Sequence, residues 1–99
     1  MKEVILRLPR GKEMVVSGES EDLSIIGAIE SQGGYYEPHV MRAMDLLIKP
    51  DFICLDIGAN IGVMSLQMAS AASNGHVYAF EPSPTNFKNL CKNVFFKHC

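Results

Sequence analysis

Apolar residues recur along the chain with two different spacings, and each spacing predicts a different element. EVILRL (3–8) and EMVV (13–16) are β-prone and flank the turn-forming PRGK, which predicts a hairpin. DLSIIGAIE (22–30) fits helix and strand equally well, and SQGGYYEP then breaks the pattern at Gly33–Gly34. From Pro38 the period becomes helical. Val40, Met44, Leu47 and Ile48 fall on one stripe of a helix over 38–48, Pro38 suits its first turn, and Pro50 stops it.

FICLDI (52–57) is a nearly continuous apolar run, the pattern of a strand buried on both faces. Residues 61–72 predict a helix with Ile61, Met64, Leu66, Met68 and Ala72 among its apolar positions, ended by SNG at 73–75. HVYAFE (76–81) alternates as a second strand. In PSPTNFKNLCKNVFF, Ser83 is the cap and Pro84 the first helical residue. Phe87, Leu90, Cys91 and Val94 form the stripe. Strand, glycine loop, helix, strand and helix make a βαβ unit with a further helix. Parallel strands need such a crossover, so the fold class is α/β. The loop falls at the carboxyl end of the first strand, where open α/β sheets bind ligands.

Composition narrows the function classes. Ninety-nine residues suffice for one domain with a modest core, and 47% apolar with 20% charged residues describes a globular chain. A net charge of −2 without a basic block argues against a nucleic-acid partner. No run is long enough for a membrane span. The apolar start of MKEVILRLPRG is broken by Arg7 and Pro9, which argues against a secretory signal and predicts a cytoplasmic location. Cys54, Cys91 and Cys99 are odd in number and lack CxxC spacing, so buried reduced thiols are expected. His39, His76 and His98 form no HxH or HxxxH pair, and no metal site is expected.

The chemistry concentrates in DIGANIG and the strand after it. Gly58 and Gly62 let a ligand approach the backbone, although a tight strand-to-helix turn would also use them. Glu81 closes the second strand 19 residues after Gly62, about where an acid that grips a ribose is expected; alone, it would read as a solvated strand end or a helix-start acid. Gly-Ala-Asn-Ile-Gly-Val departs from the Gly-x-Gly-x-x-Gly dinucleotide fingerprint. Asp56, two residues before Gly58, would repel a pyrophosphate by roughly 1–4 kcal/mol in wet surroundings. S-adenosylmethionine carries an ammonium and a sulfonium beside its ribose and no phosphate. Asp56 suits its amino acid end, Glu81 its ribose, and its carboxylate would look for the helix N-terminus or a loop amide.

ICLDIGANIGVMSLQMA followed by GHVYAFEPSPTNFKNLCKNV resembles the FkbM family of class I S-adenosylmethionine-dependent methyltransferases. The likeness rests on Asp56, Gly58, Ala59, Asn60 and Gly62, then on Val77, Ala79, Phe80, Glu81, Pro82, Pro84, Asn86 and Phe87, with GGYYEPHVMRAM as the lead-in helix. It covers roughly residues 33–96. The resemblance implies a Rossmann-like methyltransferase fold of which the first half of the parallel sheet is present, over 33–99, preceded by a hairpin and lead-in segment over 1–32. It implies that Asp56, Gly58, Ala59 and Gly62 form the first cofactor motif and Glu81 the ribose clamp, with Pro82 and Ser83 under the adenine. Asn60 is read as a ligand contact or as a turn and cap residue. Tyr36 and Glu37 border the cofactor or serve surface and core packing, and Phe80 and Phe87 belong to the core.

The implied reaction is transfer of a methyl group to a small-molecule or sugar hydroxyl. The acceptor site, the adenine-side acid and the later strands of the family have no counterpart here, so the expectation is an amino-terminal fragment, inactive alone, without a nameable general base. Two other readings stand beside it. One is a non-catalytic S-adenosylmethionine-binding or assembly module that self-associates through its open sheet edge. The other is an NAD-dependent oxidoreductase fragment, against which Asp56 and the absent third glycine both argue.

Overall fold

The computed structural model describes residues 1–98. β1 (Lys2–Arg7) and β2 (Glu13–Gly18) pair antiparallel from Lys2–Gly18 to Arg7–Glu13, as the hairpin pattern predicts. Pro9–Gly11 form a 3-10 turn at the tip, closed by the Leu8 N–H on the Lys12 carbonyl at 2.8 Å. Period-two alternation then sorts the side chains: Val4, Leu6 and Val16 are buried while Glu3, Ile5 and Arg7 face outward.

The ambiguous stretch resolves as helix α1 (Ile26–Ser31). Asp22 decides it, because its Oδ1 accepts the amides of Ser24 and Ile25, each at 3.0 Å, and starts the turn. The helix ends on a paired hydrogen-bond motif: Gly33 N–H donates to Glu30 and Gly34 N–H to Ile29. Arg7 N–H then donates to the Gly34 carbonyl at 2.7 Å and fastens this turn to the edge of β1.

Helix α2 (Pro38–Leu47) begins at Pro38, as expected, but buries a different stripe. Met41 is buried and Met44, Asp45 and Ile48 are half-buried, whereas Val40 and Leu47 are exposed. The 41–44–48 spacing is equally helical, and contact with the next helix selects it.

β3 (Ile53–Ile57) and β4 (His76–Phe80) are parallel, in register from Ile53–His76 to Ile57–Phe80. Helix α3 (Val63–Ala71) crosses between them. The expected stripe on α3 is too narrow: Val63, Ser65, Leu66 and Gln67 are all buried. The helix packs on α2, β3 and β4, and Leu66 also joins the cluster of the hairpin and α1. Such a helix is enclosed nearly all round. The expectation that β3 is buried on both faces is corrected. Its α3 side holds Cys54 and buried Asp56, but Ile53, Leu55 and Ile57 on the other side are 70%, 62% and 74% exposed. Tyr78 and Phe80 of β4 share that bare face, so Phe80 is not a core residue.

Helix α4 (Pro84–His98) is capped as expected. The Ser83 carbonyl accepts the Phe87 N–H at 2.8 Å and its hydroxyl the Asn86 N–H at 3.4 Å. Leu90 is buried and Cys91 and Val94 half-buried, but Phe87 is exposed; Asn89 and Asn93 are the buried neighbours instead. Cys54 and Cys91 are free thiols, half-buried rather than buried; Cys99 lies outside the described residues.

One apolar cluster joins Val4, Leu6 and Val16 of the hairpin to Ile26 and Ile29 of α1, Met41 of α2 and Leu66 of α3. Segments 1–32 and 33–99 therefore share a core. Over the described residues the result is an α/β domain with two two-stranded sheets and four α-helices.

Candidate functional site

The Asp56–Ser83 neighbourhood is built by the parallel pair. β3 and β4 end side by side, and the chain leaving β3 turns over the end of β4. The N–H groups of Gly58 and Ala59 both donate to the Phe80 carbonyl, each at 2.9 Å. Gly62 N–H donates back to Ala59 at 2.9 Å, and Asn60 N–H to Glu81 Oε1 at 2.7 Å. These four backbone hydrogen bonds fix the loop. Asn60 is left-handed at φ 55°, a conformation its short polar side chain tolerates, which accounts for a turn role without a ligand.

The two glycines do different work. Gly62 sits at φ 101°, and a Cβ there would stand 2.8 Å from Leu90 Cδ1, so it is needed for helix packing. Gly58 sits at φ 77° and a Cβ there would meet nothing within 4 Å. The space above Gly58 is open to a ligand.

Glu81 bridges the glycine loop and the start of α4. Its Oε1 accepts from Asn60 and its Oε2 accepts the Ser83 N–H at 2.9 Å. Each carboxylate oxygen has a further lone pair, so acceptor capacity for hydroxyl donors remains. Pro82 follows directly and carries the chain to the Ser83 cap. Asp56 lies elsewhere. It is buried on the α3 side of β3, where its Oδ2 accepts the Ser65 hydroxyl at 2.6 Å. It stands one residue before the end of β3, tied to the first turn of α3.

The structure thus brings Gly58, Ala59, Asn60, Glu81 and Ser83 together, with Asp56 beneath them. Glu37 is not joined to them by any hydrogen bond among the described residues; it is the exposed, left-handed N-cap of α2. Tyr36 packs against the apolar core, and burial raises its phenol pKa above the ordinary tyrosine value, helped by the nearby charges of Glu37 and Asp22.

Asn93 is the residue that helical periodicity misses. Its side chain is fully buried. Oδ1 accepts the Ser17 N–H at 2.8 Å, and Nδ2 donates to the carbonyls of Ser17 at 3.0 Å and Ile61 at 2.8 Å. One amide therefore ties β2 to the glycine loop. Asn89 adds a second polar link, donating to Glu19 at 3.1 Å. Asn86, Asn89 and Asn93, spaced three and four residues apart, would be read as a wet helix face, and only the hairpin's position reverses that reading.

Among the described residues, no group of three or more His, Cys, Asp or Glu side chains is placed to hold a metal ion. No helix among them is long and apolar enough to cross a membrane.

No known family profile matches the chain, and no solved structure does. Over 37 residues, 37% of its length, the chain is 51% identical to the AMB antimetabolite synthetase AmbE of Pseudomonas aeruginosa. The match covers 2% of that much longer protein.

Proposed function

We propose that this chain is the cofactor-binding, amino-terminal portion of an S-adenosylmethionine-dependent methyltransferase resembling the FkbM family, with a Rossmann-like sheet and a hydroxyl compound as acceptor. The observation that carries the reading is the meeting of Glu81 with the glycine loop, through the 2.7 Å bond from Asn60, at neighbouring carboxyl ends of parallel strands. A ribose-gripping acid has to stand there, and the open space over Gly58 admits the nucleoside beside it.

The loop's hydrogen bonding favours this ligand over a dinucleotide. The amides of Gly58, Ala59, Asn60 and Gly62 are spent on Phe80, Glu81 and Ala59, so they form no cradle for a pyrophosphate. What the loop offers is bare backbone with carboxylates beside and below it, which suits a cationic, phosphate-free nucleoside. Glu81 would hold the ribose hydroxyls with its remaining lone pairs, and Asp56 would act on the cationic end through its charge. The cofactor supplies a methyl group already activated on a sulfonium, so the chain's task is to orient it. The acceptors to assay are sugars and small natural products; the short likeness to an antimetabolite synthetase adds the latter.

Calorimetric titration with S-adenosylmethionine, S-adenosylhomocysteine and NAD tests the reading. Saturable heats are expected from the first two alone. They should vanish in an Asp56→Ala, Glu81→Ala variant whose circular dichroism is unchanged, with Glu81→Gln as the milder companion. Equal heats from parent and variants would remove the site.

A second reading, an assembly module, is favoured by the bare face of Ile53, Leu55, Ile57, Tyr78 and Phe80 and the unpaired outer edges of the two-stranded sheet. Sedimentation velocity over a concentration series decides it. Association that Leu55→Lys abolishes supports the module, and a monomer throughout ends it.

A further inference from the structure

A second concave surface lies away from the glycine loop. A groove of about 450 Å³ runs between the hairpin tip and α2, floored and rimmed by Leu8, Pro9, Tyr35, Met41 and Leu46. Lys12 Nζ, at the tip, donates to Ser70 Oγ near the carboxyl end of α3 at 2.8 Å. The glycine loop begins that same helix, so about one helix length, roughly 13 Å, separates it from this contact at the hairpin tip. The volume lies in the range of small-molecule sites, which are mostly apolar with a few polar groups.

Three arginines are among the residues lining the groove, against one aspartate, in a chain whose net charge is −2. Two of the three are already matched. Arg7 Nη1 lies 3.0 Å from Glu13, with its Nε donating to the Gly33 carbonyl at 3.2 Å. Arg10 Nε lies 3.0 Å from Asp45, whose carboxylate is mostly buried. Arg42 makes no ion pair among the described residues. The charge count therefore leaves room for one negative charge, beside an exposed aromatic ring and an exposed leucine. A guanidinium presents a planar fork that fits a carboxylate with two parallel hydrogen bonds. Backbone strain falls here too: Arg10 is left-handed at φ 65°, as is Glu37 at φ 45°, next to Pro38 on the groove wall.

We infer that this groove is a binding site for a small monocarboxylate with an apolar body of about ring size, its carboxylate taken by Arg42 and its body by the Tyr35 and Leu46 lining. A single uncommitted charge selects a monoanion over a phosphate dianion. The inference stands independently of the methyltransferase reading, since no residue is shared between the two sites.

The test is an NMR titration of the isotope-labelled 99-residue chain with 3-phenylpropionate. Saturable shifts are expected at Tyr35, Arg42 and Leu46, with Gly58 to Gly62 unmoved. Arg42→Gln should weaken the affinity by about three- to fivefold, the factor for losing one exposed ion pair. The neutral 3-phenylpropionamide should be weaker by the same factor. Leu46→Asp should abolish the shifts and Leu47→Asp, equally exposed but off the groove, should not. Absence of saturation up to the probe's solubility limit overturns the site. Equal binding of the amide overturns the role of Arg42, tighter binding of inorganic phosphate overturns the monoanion, and equal effects of the two leucine changes overturn the placement.

Discussion

In the hairpin, Val4, Leu6 and Val16 turn to one side and are covered by α1, α4 and the rest of the core, while most outward positions of β1 are polar. In the parallel pair, α3 covers Cys54, Asp56, Val77 and Ala79, but the outward positions are Ile53, Leu55, Ile57, Tyr78 and Phe80. An antiparallel sheet tolerates one wet face, and its sequence shows it; a parallel sheet is composed for two covers. The first sheet has the cover its composition asks for. The second has one cover and the composition for two. That contrast explains why the apolar pattern predicts β1 and β2 correctly and misplaces the burial of β3.

The contrast can be broken or sharpened by substitution, beginning where the effect is largest. Asn93→Leu removes three buried hydrogen bonds at once, those to the Ser17 amide and to the Ser17 and Ile61 carbonyls, so a loss of about 3–4 kcal/mol in urea unfolding is expected. It should also speed amide exchange at the glycine loop ahead of the rest of the domain. A surface-sized loss, below about 0.5 kcal/mol, would show that the hairpin and the loop are not coupled.

Leu6→Ala and Leu55→Ala form the direct comparison, because both shorten a strand leucine. The first removes a side chain that is 0% exposed and should cost about 3 kcal/mol; the second, on the bare face, should cost under about 0.5 kcal/mol. Comparable costs would mean that the face is covered in solution.

Gln67→Met is smaller and of opposite sign. Gln67 Oε1 is buried with no hydrogen-bond partner among the described residues, and its Nε2 makes only a 3.4 Å bond to Met41. A thioether of similar size should leave stability unchanged or raise it by about 1 kcal/mol in the same measurement.

Tyr36 gives the smallest effect. Its pKa is raised in the fold, so the neutral phenol is favoured there. That contribution is complete below pH 10 and is lost as the pH rises through the folded-state value. Tyr36→Phe should flatten the alkaline limb of the stability–pH curve, and an unchanged limb would remove the phenol from the balance.

Much of the candidate site's layout was legible in the residues. Asp-x-Gly at the end of an apolar run and Glu after an alternating one place a loop and an acid on adjacent parallel strands, and β3, β4 and the Ser83 cap lie where turn and capping chemistry put them. The use of each group was less legible. Glu81 is shared between two backbone amides, and Asp56 is turned under the loop by one serine hydroxyl nine residues on. Spacing predicts which side chains share an end of a sheet, but not which donor reaches them first.

The sequence alone determined the order of elements, the hairpin, the parallel crossover and the glycine turn, because these follow from local propensity and short-range periodicity. Tertiary structure decided which helix stripes were buried, that Asn93 became a core residue, and that the second face of the parallel pair stood bare. Burial is a property of what lies across the contact, and a residue's neighbours in the chain carry little record of its neighbours in space.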